Sequence, residues 1–223
     1  MDQEQLNQLA KQLRSESIYQ SRMALDELAK VPSEIAVPVL QQLSQEIDFQ
    51  QRRLAVMGLG NHLTDDAFQT LARLLTTEKD DNVLAEAANA IFEFGDTSVP
   101  LLKDLFFRHE GWLTRQTILS ILMEANQDDI LLAVVREGLK DEAQTVKETA
   151  ILAMGPLMNR PAESEALALL KDLSEAENWR DRWRAATTLS LATNPVAEQL
   201  RAKLRQDNNH YVVAAALEAG VNS

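Results

Sequence analysis

Apolar positions along the chain recur with helical spacing, and they do so in two alternating kinds of segment. In the first kind a small residue is followed three positions later by another small residue and then a large apolar one. This pattern occurs in Arg22-Met23-Ala24-Leu25-Asp26-Glu27-Leu28, in Arg53 to Leu59, in Ala87 to Ile91, in Thr117 to Ile121, in Ala150 to Met154 and in Thr187 to Leu191, with a shorter echo from Ala214 to Leu217. Taking Ala24, Ala55, Ala87, Thr117, Ala150 and Thr187 as anchors, the spacings are 31, 32, 30, 33 and 37 residues. Between these lie segments of the second kind: Ile35 to Leu43, Ala67 to Leu75, Ser98 to Leu105, Asp129 to Leu139, Ala166 to Leu173 and Val196 to Leu204. Their apolar residues fall at i, i+3, i+4 and i+7, one stripe per helix. A period of this length holds two helices and two turns, the unit of an α-solenoid. Small anchors let neighbouring helices approach closely while the adjacent Leu, Met or Ile fills the groove.

The punctuation agrees with helices. Pro38 and Pro100 are expected in first turns, where a missing N–H is harmless. Gly60-Asn61 and Gly95-Asp96 are expected to end helices in the left-handed region. Thr64 and Ser33 offer N-cap oxygens. The widest spacing, before Thr187, implies an inserted loop near Asn159-Arg160-Pro161.

Composition narrows the function classes. Gly (7) and Pro (6) are too sparse for a hairpin-rich fold, and the absence of cysteine removes disulfides, thiolate catalysis and thiolate metal sites. With 22 basic and 34 acidic residues the net charge is −12, a field that repels nucleic acid and anionic membranes and favours a basic partner. No apolar run reaches the ~18 residues a membrane helix needs. The opening Met1-Asp2-Gln3-Glu4-Gln5 lacks the basic and apolar segments of a secretory signal, so a cytoplasmic location is expected. His62, His109 and His210 have no zinc-ligand spacing and read as ordinary surface histidines. Asp65-Asp66, Asp80-Asp81 and Asp128-Asp129 fall at turns and read as helix caps and dipole partners. No phosphate loop or nucleophile elbow occurs, so no catalytic, cofactor or metal residue is assigned.

The repeat resembles the HEAT family, and within it the short repeats of the phycobilisome (PBS) lyase HEAT-like branch, best known in cyanobacteria. The likeness rests on Gln51-Arg52 with Ala55, Gly58 and Leu59; on Val83 with Ala87, Ala90 and Ile91; on Val146-Lys147 with Ala150, Ala153 and Met154; and on Trp183-Arg184 with Thr187, Ser190 and Leu191. It departs where Leu84 and Thr114 replace the arginine of the motif. The resemblance implies an all-α, right-handed α-solenoid of about six to seven HEAT-like helical hairpins, forming one domain over residues 1–223. It implies a non-catalytic scaffold or adaptor that holds another protein on its concave face, lined by the motif helices. Phycobilisome assembly, with a phycobiliprotein as partner, and cofactor or iron–sulfur assembly, with an assembly factor as partner, are the settings it suggests. The alternative is a subunit of an E/F-type phycobilin lyase.

Two groups of residues are candidates for partner binding. Arg22, Arg53 and Arg115 share a motif position and would stack into a ladder, extended by Trp112. Trp179, Arg180 and Arg182 lie on a helix whose i,i+4 pairs set aromatic and basic stripes side by side, residue types enriched at binding hot spots. Trp183 and Arg184 are expected instead to fill the buried motif position and to pair with a turn carboxylate of a neighbouring unit. Phe92, Phe94, Phe106 and Phe107 are expected in the core. The apolar stretch Val212 to Val221 offers a surface for self-association.

Overall fold

The computed structural model describes residues 3–218. Fourteen α-helices and two short 3₁₀ turns lie among them, with no strand. The helices are α1 (Gln3–Leu13), α2 (Ile18–Leu28), α3 (Ser33–Leu43), α4 (Phe49–Gly60), α5 (Asp65–Thr77), α6 (Asp81–Phe92), α7 (Val99–Arg108), α8 (Trp112–Leu122), α9 (Asp128–Gly138), α10 (Gln144–Leu152), α11 (Glu163–Leu173), α12 (Trp179–Leu189), α13 (Pro195–Leu204) and α14 (His210–Glu218). None is long and apolar enough to cross a membrane. The chain falls into two compact units, Met1–Ile118 and Leu119–Ser223.

Each unit is built in the manner of an α-solenoid. In the first, consecutive helices pair as α1 with α2, α3 with α4 and α5 with α6; the even helices α2, α4 and α6 form one row, and α3, α5 and α7 the other. In the second, α9 pairs with α10, α11 with α12 and α13 with α14, while α10, α12 and α14 form a row and α11 packs on α13. Even helices carry the small-residue motif. Their seventh residues are Ala24, Ala55, Ala87, Ile118, Ala150, Ala185 and Ala216, all buried.

This register corrects the sequence-derived anchors in two repeats. Ile118 and Ala185, not Thr117 and Thr187, occupy the anchor position, so the spacings become 31, 32, 31, 32, 35 and 31. The array is therefore more regular than it reads in sequence, and a seventh unit follows the sixth. The extra residues of the long spacing form a 3₁₀ turn at Gly155–Leu157 and a bend at Asn159, whose backbone takes φ 61°. Asn159 is held there by its side chain, which donates to the Leu191 carbonyl and accepts from the Thr193 hydroxyl.

Helix ends explain most of the remaining local sequence. Ser17, Asp48, Thr64, Asp80, Asn178 and Asn194 each accept a backbone N–H from the first turn of the helix they precede. Gly95 takes φ 72°, as expected after α6, but Gly60 does not, and Asn61 is right-handed. Gly60 is required for another reason: a Cβ there would lie 3.1 Å from both Cα and Cβ of Ala90, where α4 and α6 touch. Pro100 sits at the start of α7, but Pro38 lies inside α3, where its ring leaves the Glu34 carbonyl without its helical donor. Ser33 caps nothing; its hydroxyl meets Nδ1 of His62 at 3.1 Å. His62 is thus a buried residue of the first unit rather than a surface one. Burial holds its pKa below 6.5 against the opposing pull of the Leu28 carbonyl. Phe106 is core, whereas Phe107 is half exposed.

Candidate partner-binding site

The candidate side chains fall at the first, second, fourth and fifth residues of the even helices. Position four carries Ser21, Arg52, Leu84, Arg115, Lys147, Arg182 and Val213. Arg52 and Arg182 make the same clamp, one in each unit. Arg182 donates from Nε and Nη2 to the two carboxylate oxygens of Asp207 at 2.7 and 3.0 Å, from Nη1 to the carbonyls of Ala176 and Glu177, and from Nη2 to Asn208. Arg52 does likewise with Glu78 and the carbonyls of Glu46 and Ile47. Each clamp ties the entry of a motif helix to the following repeat. All five N–H donors of Arg182 have acceptors, so its guanidinium is consumed by the fold, and Arg182 is a structural residue where the sequence offered it as a binding one.

Position five carries Arg22, Arg53, Ala85, Gln116, Glu148, Trp183 and Ala214. An unbroken arginine ladder therefore does not form. Arg22 and Arg53 come together on α2 and α4, with Arg53 Nε 3.0 Å from Glu86. Arg115 sits one position earlier in its helix and lies 4.5 Å over the ring of Phe106. Trp112 opens α8 and is half exposed.

The densest grouping is in the second unit, across α10, α12 and α14. Trp179, the first residue of α12, stacks on Tyr211 with ring centres 5.5 Å apart and an interplanar angle of 23°. Trp183, one turn further along, closes a triangle with centroid distances of 6.1 Å to Trp179 and 6.3 Å to Tyr211. The Arg184 guanidinium lies 3.9 Å over Trp183, and that of Arg180 lies 5.5 Å from the Trp179 ring. Both arginines share Glu148 of α10, at 3.0 Å from Arg184 and 3.5 Å from Arg180. Gln144 completes the support: its amide donates to the buried Asp181 at 2.9 Å and accepts from Asn178. The rings are half-buried to exposed, with Tyr211 51% accessible. A fixed aromatic platform with guanidinium edges can stack on flat or extended groups and hydrogen-bond their carboxylates or carbonyls.

Trp183 departs from expectation. The buried motif position is held by Asp181, and Trp183 is only partly buried, packed among Trp179, Tyr211 and Arg184. Arg184 does pair with a carboxylate of a neighbouring repeat, although Glu148 lies within a helix and not at a turn. Tyr211, Glu148 and Gln144 were missed. The signal for them is positional: Trp179, Gln144 and His210 are all first residues of their helices, and Tyr211 matches Arg180 at position two. Among the described residues no group of three or more His, Asp or Glu is arranged to hold a metal ion. The self-association surface falls partly on Ala219, Gly220 and Val221, which lie outside the described residues; within α14, Val212, Ala215 and Ala216 are buried and Leu217 is exposed.

Comparison with known proteins bears on the fold. The family model for HEAT repeats matches residues 6–91, 40–123 and 132–219. No curated protein matches the chain by sequence. Among solved structures, YibA of Escherichia coli superposes over 100% of this chain and 83% of its own at 14% identity and a TM-score of 0.71. The complex of CpcE and CpcF of phycocyanin lyase from Nostoc sp. PCC7120 matches over 98% of this chain and 89% of that one, at 19% identity and a TM-score of 0.50. A mutant of Kap121p matches 98% of this chain but only 29% of its own length, at 15% identity and a TM-score of 0.55. At these identities the likeness is one of α-solenoid fold.

Proposed function

The chain belongs to the HEAT-repeat family, and on that premise we propose that it is a non-catalytic scaffold that holds another protein on the face formed by its motif helices. The observation that carries this reading is the Trp179–Trp183–Tyr211 platform with Arg180 and Arg184. The cluster keeps Tyr211 51% accessible beside two partly buried tryptophans, and Trp, Tyr and Arg are the residues that dominate binding energy at interfaces. In the first unit, Trp112 and the pair Arg22 and Arg53 lie on motif helices of their own, and Arg115 stacks on Phe106 there. The partner is a soluble protein, such as a phycobiliprotein or an assembly factor for an iron–sulfur or other cofactor.

The test is affinity capture from a lysate with tagged protein, wild type beside Trp179→Ala/Tyr211→Ala. A partner retained by the wild type and lost by the variant supports the scaffold. Equal retention by both removes the platform from the interface.

A second reading has one observation in its favour: the flat Trp179–Tyr211 stack edged by Arg180 would suit a planar ligand with carboxylate arms, as a bilin is. The fold likeness to the CpcE–CpcF complex is compatible with it. Under this reading the chain is a subunit of an E/F-type phycobilin lyase, and purified protein shifts the absorption spectrum of added bilin. An unchanged spectrum, alone and with a second HEAT-repeat subunit, eliminates it.

A further inference from the structure

A second surface, independent of the aromatic platform, lies in the first unit. Between α2 and α4 a cleft of about 270 Å³ opens, with Leu13, Ile18, Leu54 and Met57 as its apolar lining and Arg22 and Arg53 at its edge. Leu13 is fully buried beneath it, and Ile18 is 75% exposed beside it. The first turns of α2 and α4, which pack on each other, add exposed Tyr19 and Phe49, and Ile47 is exposed just before α4. Apolar exposure on this scale at one end of a helix row marks an interaction surface rather than chance. The volume lies below the ~300–1,000 Å³ of small-molecule sites, and it suits one or two inserted side chains.

Charge selects the occupant. The protein as a whole is strongly acidic, at −12, yet three arginines, Arg14, Arg22 and Arg53, line this cleft against two carboxylates, Glu16 and Asp48. Asp48 accepts the Gln50 backbone N–H, and Arg14 is paired with Glu46 at 2.7 Å, which leaves Arg22 and Arg53 to face an occupant. Arg22 is exposed and engages no side chain of its own, and Arg53 shares one carboxylate while half its side chain faces solvent. We propose that the cleft is a docking site for an acidic peptide segment of a partner protein, which inserts a leucine-like side chain between α2 and α4 and sets flanking carboxylates on Arg22 and Arg53. Carboxylate-to-guanidinium pairs fix register and speed encounter, while the aliphatic insertion supplies affinity.

The experiment is fluorescence anisotropy of the full chain with three labelled peptides of equal length: one of Glu and Leu, one of Lys and Leu, and one of Glu and Ser. The expected result is binding of the Glu/Leu peptide alone, weakened by salt. Arg22→Glu weakens that binding about tenfold, and Met57→Asp weakens it similarly. Because Arg22 is exposed and pairs with no other side chain, its variant keeps the wild-type melting temperature. Trp179→Ala/Tyr211→Ala leaves the peptide affinity unchanged, which separates this proposal from the platform in the second unit. Preference for the Lys/Leu peptide, equal binding of the Glu/Ser peptide, or indifference to Arg22→Glu would each overturn it. So would a dimer in light scattering that Arg22→Glu dissolves, since the occupant would then be a second copy of this chain.

Discussion

Replacing Arg182 with alanine should be among the most damaging single changes in the second unit, although the residue reads as a surface arginine in sequence. The side chains of Arg182 and Asp207 are only 14% and 9% exposed. Truncation removes two charge-assisted bonds to Asp207, strips the Ala176 and Glu177 carbonyls of their donors, and strands a mostly buried carboxylate. Breaking one side of such a pair costs about 3–5 kcal/mol when fully buried; the residual exposure argues for the lower end, about 3 kcal/mol. At 2–4 °C per kcal/mol for a chain of this size, the melting temperature falls by about 6–12 °C. The pH dependence gives a second readout. The hydrogen bond from Arg182 holds the Asp207 pKa below its ordinary 3.8, against partial burial. A depressed folded-state pKa contributes stability that is full above the unfolded value and is lost as pH falls through the folded one. Wild type and Arg182→Ala should therefore differ most near neutrality and converge below pH 3.8. Thermal melts of both proteins across acid pH would decide it. A loss under about 1 kcal/mol at pH 7 would place the clamp among surface ion pairs of little worth, and a gap that stays constant into acid would refute the role of Asp207.

Three further changes probe the fold. Pro38→Ala restores a donor to the Glu34 carbonyl in mid-helix at an exposed site and should stabilise the protein by about 1–3 kcal/mol in urea titration. Gly60→Val forces α4 from Ala90, where even a Cβ meets 3.1 Å contacts, and should cost about 1–3 kcal/mol by the same measure. His62, buried with a pKa below 6.5, binds its proton more readily unfolded than folded, so its contribution is intact above pH 6.5 and declines as pH drops below it; His62→Gln should flatten that part of a stability–pH profile.

The fold was legible because its signal repeats. Helix after helix carries the small-residue anchor and a matching cap, and the physical requirement for close helix approach leaves few residue types to choose from. The register slipped where composition is locally ambiguous. Ala185-Ala186-Thr187-Thr188 offers several small residues in a row, and only the cap at Asn178 sets which one faces the neighbouring helix. That two-residue shift moved the motif arginine from Arg184 to Arg182, and so exchanged a surface residue for a structural one. Arg52 and Arg182 are identical in role, but their acceptors Glu78 and Asp207 lie 26 and 25 residues on, a distance that local pattern cannot bridge. Tyr211 was missed for the same reason: it joins Trp179 only because α14 stacks on α12. Pro38 and His62 mark the opposite limit, where tertiary packing overrides a sound local rule.

Whether the motif helices present the binding face can be read from a hydrogen-exchange footprint of the full chain with and without the protein it captures. Exchange should slow at the starts of α12 and α14, around residues 179–184 and 210–212, with α11 and α13 unaffected. Protection confined to α11 and α13 would contradict a binding face on the motif helices.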